Sequence, residues 1–249
     1  MKIILSIIFI ILAVQCHGQN ASFKEIKRKP NSRYFNTKEA TIIFPLVVTK
    51  YPGINKLINA QIKKDMFHPD DEMQSLNKII EENINKYGLI NLSYKVTCNS
   101  AGFLSFSISA EGCGSYCSSW ATYFNFDLLT GKKITINDIF LIDKIDSFKN
   151  IVRLDKINAL TKYKEEEEGY FINQDIDSSI YNWAISQVDE NCMNEVSVEN
   201  FSISSNAIEI SDPCEFPHAI RSQQPVIELK YPGNSISKFL KPKYRKLLK

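Results

Sequence analysis

Between Asn91 and Leu128 the chain alternates apolar and polar residues in three successive runs. Leu92, Tyr94, Val96 and Cys98 alternate with Asn91, Ser93, Lys95 and Thr97. Leu104, Phe106, Ile108 and Ala110 alternate with Ser105, Ser107 and Ser109. Trp120, Thr122, Phe124, Phe126 and Leu128 alternate with Ala121, Tyr123, Asn125 and Asp127. A period of two puts one set of each run on a buried face, so the pattern predicts strands sharing a Tyr94, Phe106 and Phe124 layer. Asn99-Ser100-Ala101-Gly102 is turn chemistry and predicts a hairpin between the first two runs. A loop of odd length keeps Cys98 and Leu104 on one face, because a one-residue slip turns every apolar side chain outward. Leu129-Thr130-Gly131-Lys132 turns the chain again, and Asn137 is expected to cap a short helical turn ending at Phe140.

The flanking segments switch between two periods. Residues 19–38 read as a polar, basic lead-in. Thr41 to Val48 reads as a strand, which Pro45 demotes to an edge strand or a bulge. Ile54, Leu57, Ile58 and Ile62 recur at helical spacing, predicting a helix to about Phe67. Asp70 or Asp71 is expected to cap a second helix with the stripe Met73, Leu76, Ile80, Ile84 and Tyr87, closed by Gly88. A third helix is predicted from Ile145 to Lys164, with Phe148, Ile151 and Val152 facing in. The run Glu165 to Glu168 should end it, because acidic charge at a helix C-terminus opposes the macrodipole. Asp175 or Asp177 should cap a further helix carrying Ile176, Ile180, Trp183 and Val188. Phe201 and Ile203 pair with Ile208 and Ile210 across Ser205-Asn206, a two-residue hairpin turn. Val226 to Tyr231 reads as a last strand, and Pro232-Gly233-Asn234 leads into a short helix. The tail, with Lys241, Lys243, Arg245, Lys246 and Lys249, reads as basic and solvated. The fold class expected is α+β, an antiparallel sheet packed against several helices. Residues 19–90 form an N-terminal strand and two-helix lobe, packed as one unit with a central sheet and helices over 91–249.

The first residues change the compartment. Lys2 and the apolar run from Ile3 to Val14 have the form of a signal peptide, spanning residues 1–18. The run is too short to cross a bilayer. Cys16 and Gly18 are small residues before a cut at Gln19; lipidation of Cys16 is the alternative. Export leaves 249 − 18 = 231 residues, and the net charge falls from +2 to +1 with the loss of Lys2. A near-neutral chain without a basic stripe implies no nucleic-acid partner. No later run is apolar enough to form a transmembrane helix.

Five cysteines follow the leader, and an exported chain oxidises them. Cys113 and Cys117 share a short Gly-rich loop and form the first candidate pair, worth about 2 kcal/mol on the chain-entropy model. Cys192 and Cys214 flank the last hairpin and form the second. Cys98 reads as a buried free thiol. The CxxxC spacing is wrong for a redox motif, and a zinc site would need histidine or further cysteine close by, so no metal and no cofactor is expected.

The run from Asn125 to Phe140, NFDLLTGKKITINDIF, resembles the signature of a bacterial envelope domain of unknown function. That domain forms the extracytoplasmic part of RsiV-type anti-sigma factors and occurs in some polysaccharide deacetylases. Asn125, Asp127, Thr130, Gly131 and Asp138 are the matching positions. Tyr51-Pro52 leading into Ile54, Asn59 and Ile62 resembles its first helix. Phe201 to Ile210 and Val226 to Tyr231 resemble its closing strands, so the resemblance spans residues 40–240. One departure matters: where the family often has a Gly-Gly-Ala-His-Gly loop, this chain has Gly112 to Cys117 and no histidine. A role requiring that histidine is not expected. One family member binds lysozyme, so the resemblance implies a wall-active protein or peptidoglycan as ligand.

Little in the sequence points to catalysis. There is no nucleophile elbow, no HExxH and no phosphate loop. His68 falls in a helix-breaking turn, and His218 near Cys214. Asp127 and Asp138 suit turn and cap hydrogen bonds. Glu111 with Asp127 is the one carboxylate pair that a hydrolase acting on a polysaccharide could use. The competing reading is a non-catalytic binding module that presents Glu111, Tyr116 and Trp120 beside the cysteine clamp, since aromatic residues on a preorganised loop suit contact with protein or carbohydrate. Peptide mapping of the unreduced protein should recover Cys113 and Cys117 in one cross-linked peptide; free thiols there would remove the clamp.

Overall fold

The computed structural model describes residues 20–31, 40–69, 73–114, 117–174, 178–212, 214, 216–217, 220–221 and 224–248. A five-stranded sheet has the order β1-β2-β3-β4-β5. Its strands are β1 (Ser22–Arg28), β2 (Ile42–Val48), β3 (Leu89–Ser100), β4 (Phe103–Cys113) and β5 (Cys117–Asp127). All neighbours are antiparallel except β2 and β3, which run parallel. A second, antiparallel sheet holds β6 (Phe201–Ile203), β7 (Ala207–Ser211) and β8 (Glu228–Pro232). The fold is therefore α+β. The stretch before residue 90 contributes two strands to the same sheet as the later residues.

Alternation along β4 and β5 builds two cores. Leu104, Phe106, Phe124 and Phe126 point to one face, where α1 (Pro52–Phe67) and α2 (Leu76–Lys86) bury Ile58, Ile62, Ile80 and Ile84 against them. Phe106 and Phe124 stack with ring centroids 5.1 Å apart; Tyr94 is half-buried at the margin of this core. Phe103 and Cys98 point the other way. They meet Phe201, Ile203 and Ile208 of the small sheet, with Phe148 and Val152 of α4 (Ile145–Gln174) behind it. A third cluster joins Leu160 of α4, Ala184 of α5 (Ser178–Gln187) and Val188 to Cys192, Cys214 and Phe216.

Several expectations are corrected. The β3–β4 loop has an even length: Ser100 pairs with Phe103 across Ala101 and Gly102. Both turn residues have positive φ, 53° and 78°, the requirement of a tight primed turn. A bulge between Val96 and Cys98 absorbs the parity change, and it moves Cys98 away from the Leu104 face. Residues 22–28 are a strand, not a lead-in. Its polar edge-strand sequence carries no period-two signal. The helix α2 starts on Ser75, whose Oγ accepts the Lys78 N–H; Met73, expected in its stripe, is 90% exposed. Asp70, Asp71, Asp175 and Asp177 lie outside the described residues. Glu165 to Glu168 lie inside α4, not at its end, where glutamate is a good helix former and Lys162 pairs with Glu166 at i,i+4. After a short helix α6 (Gly233–Ile236), the basic tail docks as α7 (Pro242–Leu247), burying Tyr244 and Leu248.

Pro45 is not on an edge strand, since β2 lies second in the sheet. Only Ile42 of β2 is bridged to β3, however, and beyond it that side of β2 is open. Asparagines of α1 close the gap. Asn59 Oδ1 accepts the Val47 N–H at 2.8 Å and its Nδ2 donates to the Val47 carbonyl at 2.9 Å. Asn55 does the same for Thr49, at 2.7 and 3.2 Å. Pro45 shares the side of Val47 by parity, so its missing N–H breaks no ladder bond. Asn99 likewise brackets Ala21, accepting its N–H at 2.9 Å and donating to its carbonyl at 2.7 Å.

The same device joins the sheets. The Ser211 N–H donates to the Asn200 carbonyl and the Ser204 N–H to the Ala207 carbonyl within the small sheet, so Phe201 and Ile203 present their backbone to its open edge. Buried Asn125 donates to the Phe201 carbonyl at 2.8 Å, and the Ile203 N–H donates to buried Ser105 Oγ at 2.9 Å. Asn125→Ala should orphan the Phe201 carbonyl and cost about 1–3 kcal/mol. Thermal unfolding should register this as a midpoint several degrees lower, and an unchanged midpoint would show that the seam carries no stability.

Candidate functional site

The small sheet covers only part of the face that carries Ser105 and Asn125. Farther along, the same face is bare and polar. Asn91 and Ser93 of β3, Ser109 and Glu111 of β4, and Ser119 and Tyr123 of β5 form the floor of a cleft of about 650 Å³. Asn200, Ser211, Arg221, Gln224, Val226 and Glu228 wall it from the small sheet and the segment before β8. Glu111 stands directly opposite Ser119, and Asn91 opposite Glu111. The floor thus offers hydroxyls, an amide and a carboxylate in rows set by the strand spacing. The walls add a guanidinium, a second carboxylate and further amides.

The structure separates the residues grouped in the sequence. Glu111 is in the cleft. Trp120 borders it, but strand parity puts the Trp120 side chain with Ala110 on the other face, and its ring lies over Gly112. The aromatic residue on the floor is Tyr123. Tyr116 lies outside the described residues, as do His218, Cys16 and the whole of residues 1–18. Cys113 is joined to Cys117 where the β4–β5 ladder ends, and Cys192 to Cys214, with Cα separations of 4.0 and 5.3 Å. Cys98 is a buried free thiol. The ligand atoms of Glu111, Cys113 and Cys117 lie within 4.8 Å of one another, but the sulfurs are bonded to each other and leave only the carboxylate to offer a cation.

Glu111 and Asp127 do not form a pair. Glu111 is opposite Ser119 and Asp127 is opposite Phe103. The intervening strand is about 27 Å long at roughly 3.4 Å per residue. Asp127 instead builds the turn after β5. Its Oδ1 accepts the N–H groups of Leu129 and Thr130, and its Oδ2 takes Lys243 at 2.8 Å. Gly131 has a φ of 74° and packs so close to Leu57 that a Cβ would meet it at 3.3 Å. Thr130 Oγ1 accepts the Lys132 N–H. The short helix α3 (Ile136–Ile139) is capped by Thr135, not Asn137, in a capping box closed by Asp138. Lys132 pairs with Asp138 at 2.7 Å.

No protein-family model matches the sequence, and no curated protein matches it. Solved structures do. A DUF3298 family member from Bacteroides fragilis superposes with a TM-score of 0.55 over 93% of this chain and 98% of its own, at 12% identity. A DUF3298 family protein from Pseudomonas aeruginosa gives 0.54 over 90% and 95%, at 13% identity. The fold is that of the DUF3298 proteins. No helix among the described residues is long and apolar enough to cross a membrane.

Within this DUF3298-type fold one polar cluster escaped sequence reasoning. Lys156 and Asp212 form an ion pair at 2.8 Å with side chains 2% and 5% exposed. Lys156 also donates to the Glu195 carbonyl at 2.7 Å, and Asp212 accepts the Ser197 N–H. The pair therefore ties α4 to the segments around the Cys192–Cys214 bond. The signal was available: Phe148, Val152, Lys156 and Leu160 step by four residues along one buried stripe, and a lysine there must find a partner.

Burial pushes the Asp127 carboxyl up, but Lys243 and the turn N–H groups outweigh it and hold it below its ordinary value. Asp138 is likewise held down by Lys132 and Thr135 against burial. A carboxyl depressed on folding stabilises fully above its unfolded value, near about 3.9, and loses that contribution as pH falls through the folded value. Thermal midpoints should therefore drop below about pH 4, and Asp138→Asn should lower the midpoint at neutral pH and flatten that drop. An acid limb of unchanged steepness in the variant would exclude Asp138 as a contributor.

Proposed function

We propose that the protein is an exported, non-catalytic binding module whose cleft takes a glycan strand of the cell wall, with peptidoglycan as the ligand. The observation that carries this reading is the composition of the cleft. Its floor is a flat array of serine and asparagine side chains with one tyrosine, suited to hydroxyl and amide groups of a sugar chain with an aromatic face beneath it. Arg221, Glu111 and Glu228 leave the cleft with little net charge, which favours a neutral amide-bearing glycan over a phosphate-rich polymer. Export rests on the leader-like residues 1–18 and agrees with the two disulfides. The resemblance to the RsiV-type envelope domain points to the same compartment.

The carboxylate reading loses its proposed pair, because Asp127 is spent on the turn and Lys243. Glu228 is the other carboxylate that lines the cleft with Glu111.

Purified peptidoglycan should retain the protein in a sedimentation assay. Tyr123→Ala and Glu111→Gln should each weaken retention by about tenfold, or 1.4 kcal/mol. Wild-type retention by both variants would empty the cleft of its role, and capture of lysozyme with no retention on peptidoglycan would replace the glycan by a protein ligand. Release of soluble sugar by the protein would end the non-catalytic reading.

A further inference from the structure

The two outer strands of the large sheet are treated differently. β1, at one edge, carries Lys24, Glu25, Lys27 and Arg28, the charged residues that keep an exposed edge from pairing. β5, at the other, has no guard: from Gly112 to Phe126 there is neither a charge nor a proline.

The backbone of β5 shows which groups that edge presents. Ile134 donates to the Asn125 carbonyl at 2.7 Å, and Asp127 donates to the Lys132 carbonyl at 3.0 Å. Asn125 and Asp127 therefore point away from β4. By the alternation of an antiparallel ladder, Ser119, Ala121 and Tyr123 point the same way. The return strand stops at Lys133 and does not reach them. Among the described residues none bonds to their N–H or C=O groups.

We propose that this open edge of β5 pairs antiparallel with the β5 of a second copy, about a two-fold axis at Ala121, fusing two sheets into one. The register is self-complementary. Ala121 faces its own copy, where a small side chain lets the strands approach, and Ser119 faces Tyr123 of the partner subunit. Trp120, 43% exposed in the single chain, falls beside Thr122 of the partner subunit, a favourable aromatic–β-branched pair. No like charges meet, because the stretch from Gly112 to Phe126 has none. The pairing closes at two copies, because the other edge is guarded. This goes beyond the glycan reading and does not depend on it.

Sedimentation equilibrium of the mature chain at about 10–100 μM should give twice the chain mass, in the concentration range of an ordinary dimer. Ala121→Pro removes one outward N–H without touching the β4 ladder, and should give a monomer with an unchanged circular dichroism spectrum. Ala121→Cys places two thiols about 5.5 Å apart by Cα, within disulfide reach, and mild oxidation should yield a covalent dimer. Glu111→Gln lies off the edge and should remain dimeric whatever it does to peptidoglycan retention. A monomeric wild type overturns the proposal. So does a dimer in which Ala121→Cys fails to cross-link, and so does a monomer that takes up an added extended peptide along β5.

Discussion

A backbone N–H or C=O held at the open edge of a strand and shut off from water costs about 1–3 kcal/mol if it finds no partner. This chain meets that demand with side-chain amides placed as if they were the next strand. An asparagine amide offers one donor and one acceptor in the geometry of a peptide group, so it can take both bonds of a single residue. Asn59, Asn55 and Asn99 do so for Val47, Thr49 and Ala21. Asn55 and Asn59 are one helical turn apart, about 6 Å of rise, and Val47 and Thr49 are two strand residues apart, about 7 Å. That match lets one helix cap two strand positions. It fixes the angle at which α1 crosses the sheet, and with it the core beneath.

Asn125 applies the same chemistry between sheets. It bonds one outward carbonyl of β6 while Ser105 accepts the outward N–H two residues on. A three-residue strand would otherwise be a frayed edge buried against apolar side chains. Polar groups at this junction allow one relative placement of the two sheets, where apolar contact alone would allow many. The turn that follows extends the specification. Asp127 holds Leu129 and Thr130 on one side and Lys243 of α7 on the other, so the C-terminal helix is fastened to the end of the strand that carries Asn125.

How much of this was legible in the sequence depends on which residue carried the signal. Period-two alternation located β3, β4 and β5, because their apolar sets face one continuous core. It failed for β1, whose side chains are half in water, and for Cys98, where one extra residue at the bulge reversed the faces. Local charge reasoning ended α4 at Glu165, since it weighed the macrodipole without knowing that the helix continued for another turn and more. The signature residues Asn125, Asp127 and Asp138 were legible as structural, but the partner of Asn125 is 76 residues away, beyond any local pattern. The cleft was legible only in part. Glu111 was named. Tyr123 was missed because it reads as one of the outward members of a strand, and its neighbours in the cleft, Arg221, Gln224 and Glu228, come from a segment far along the chain.

The cleft itself follows from a mismatch in length. β3, β4 and β5 each run for 11 or 12 residues, while β6, β7 and β8 run for 3 to 5. A short sheet laid on a long one must leave part of the long one uncovered. On the covered part the face carries Phe103, Ser105 and Asn125, all buried; on the bare part it carries Ser93, Ser109, Glu111 and Ser119. The reverse face has no such change of character at the same positions, since Ala110 and Ile108 remain buried there. The polar floor is therefore a response to one missing layer, and the ends of the small sheet become walls because they stop where they do. Lengthening β6 or β7 by a few apolar residues would fill that space with core, whereas the observed chain keeps its serines, and with them an open polar cleft.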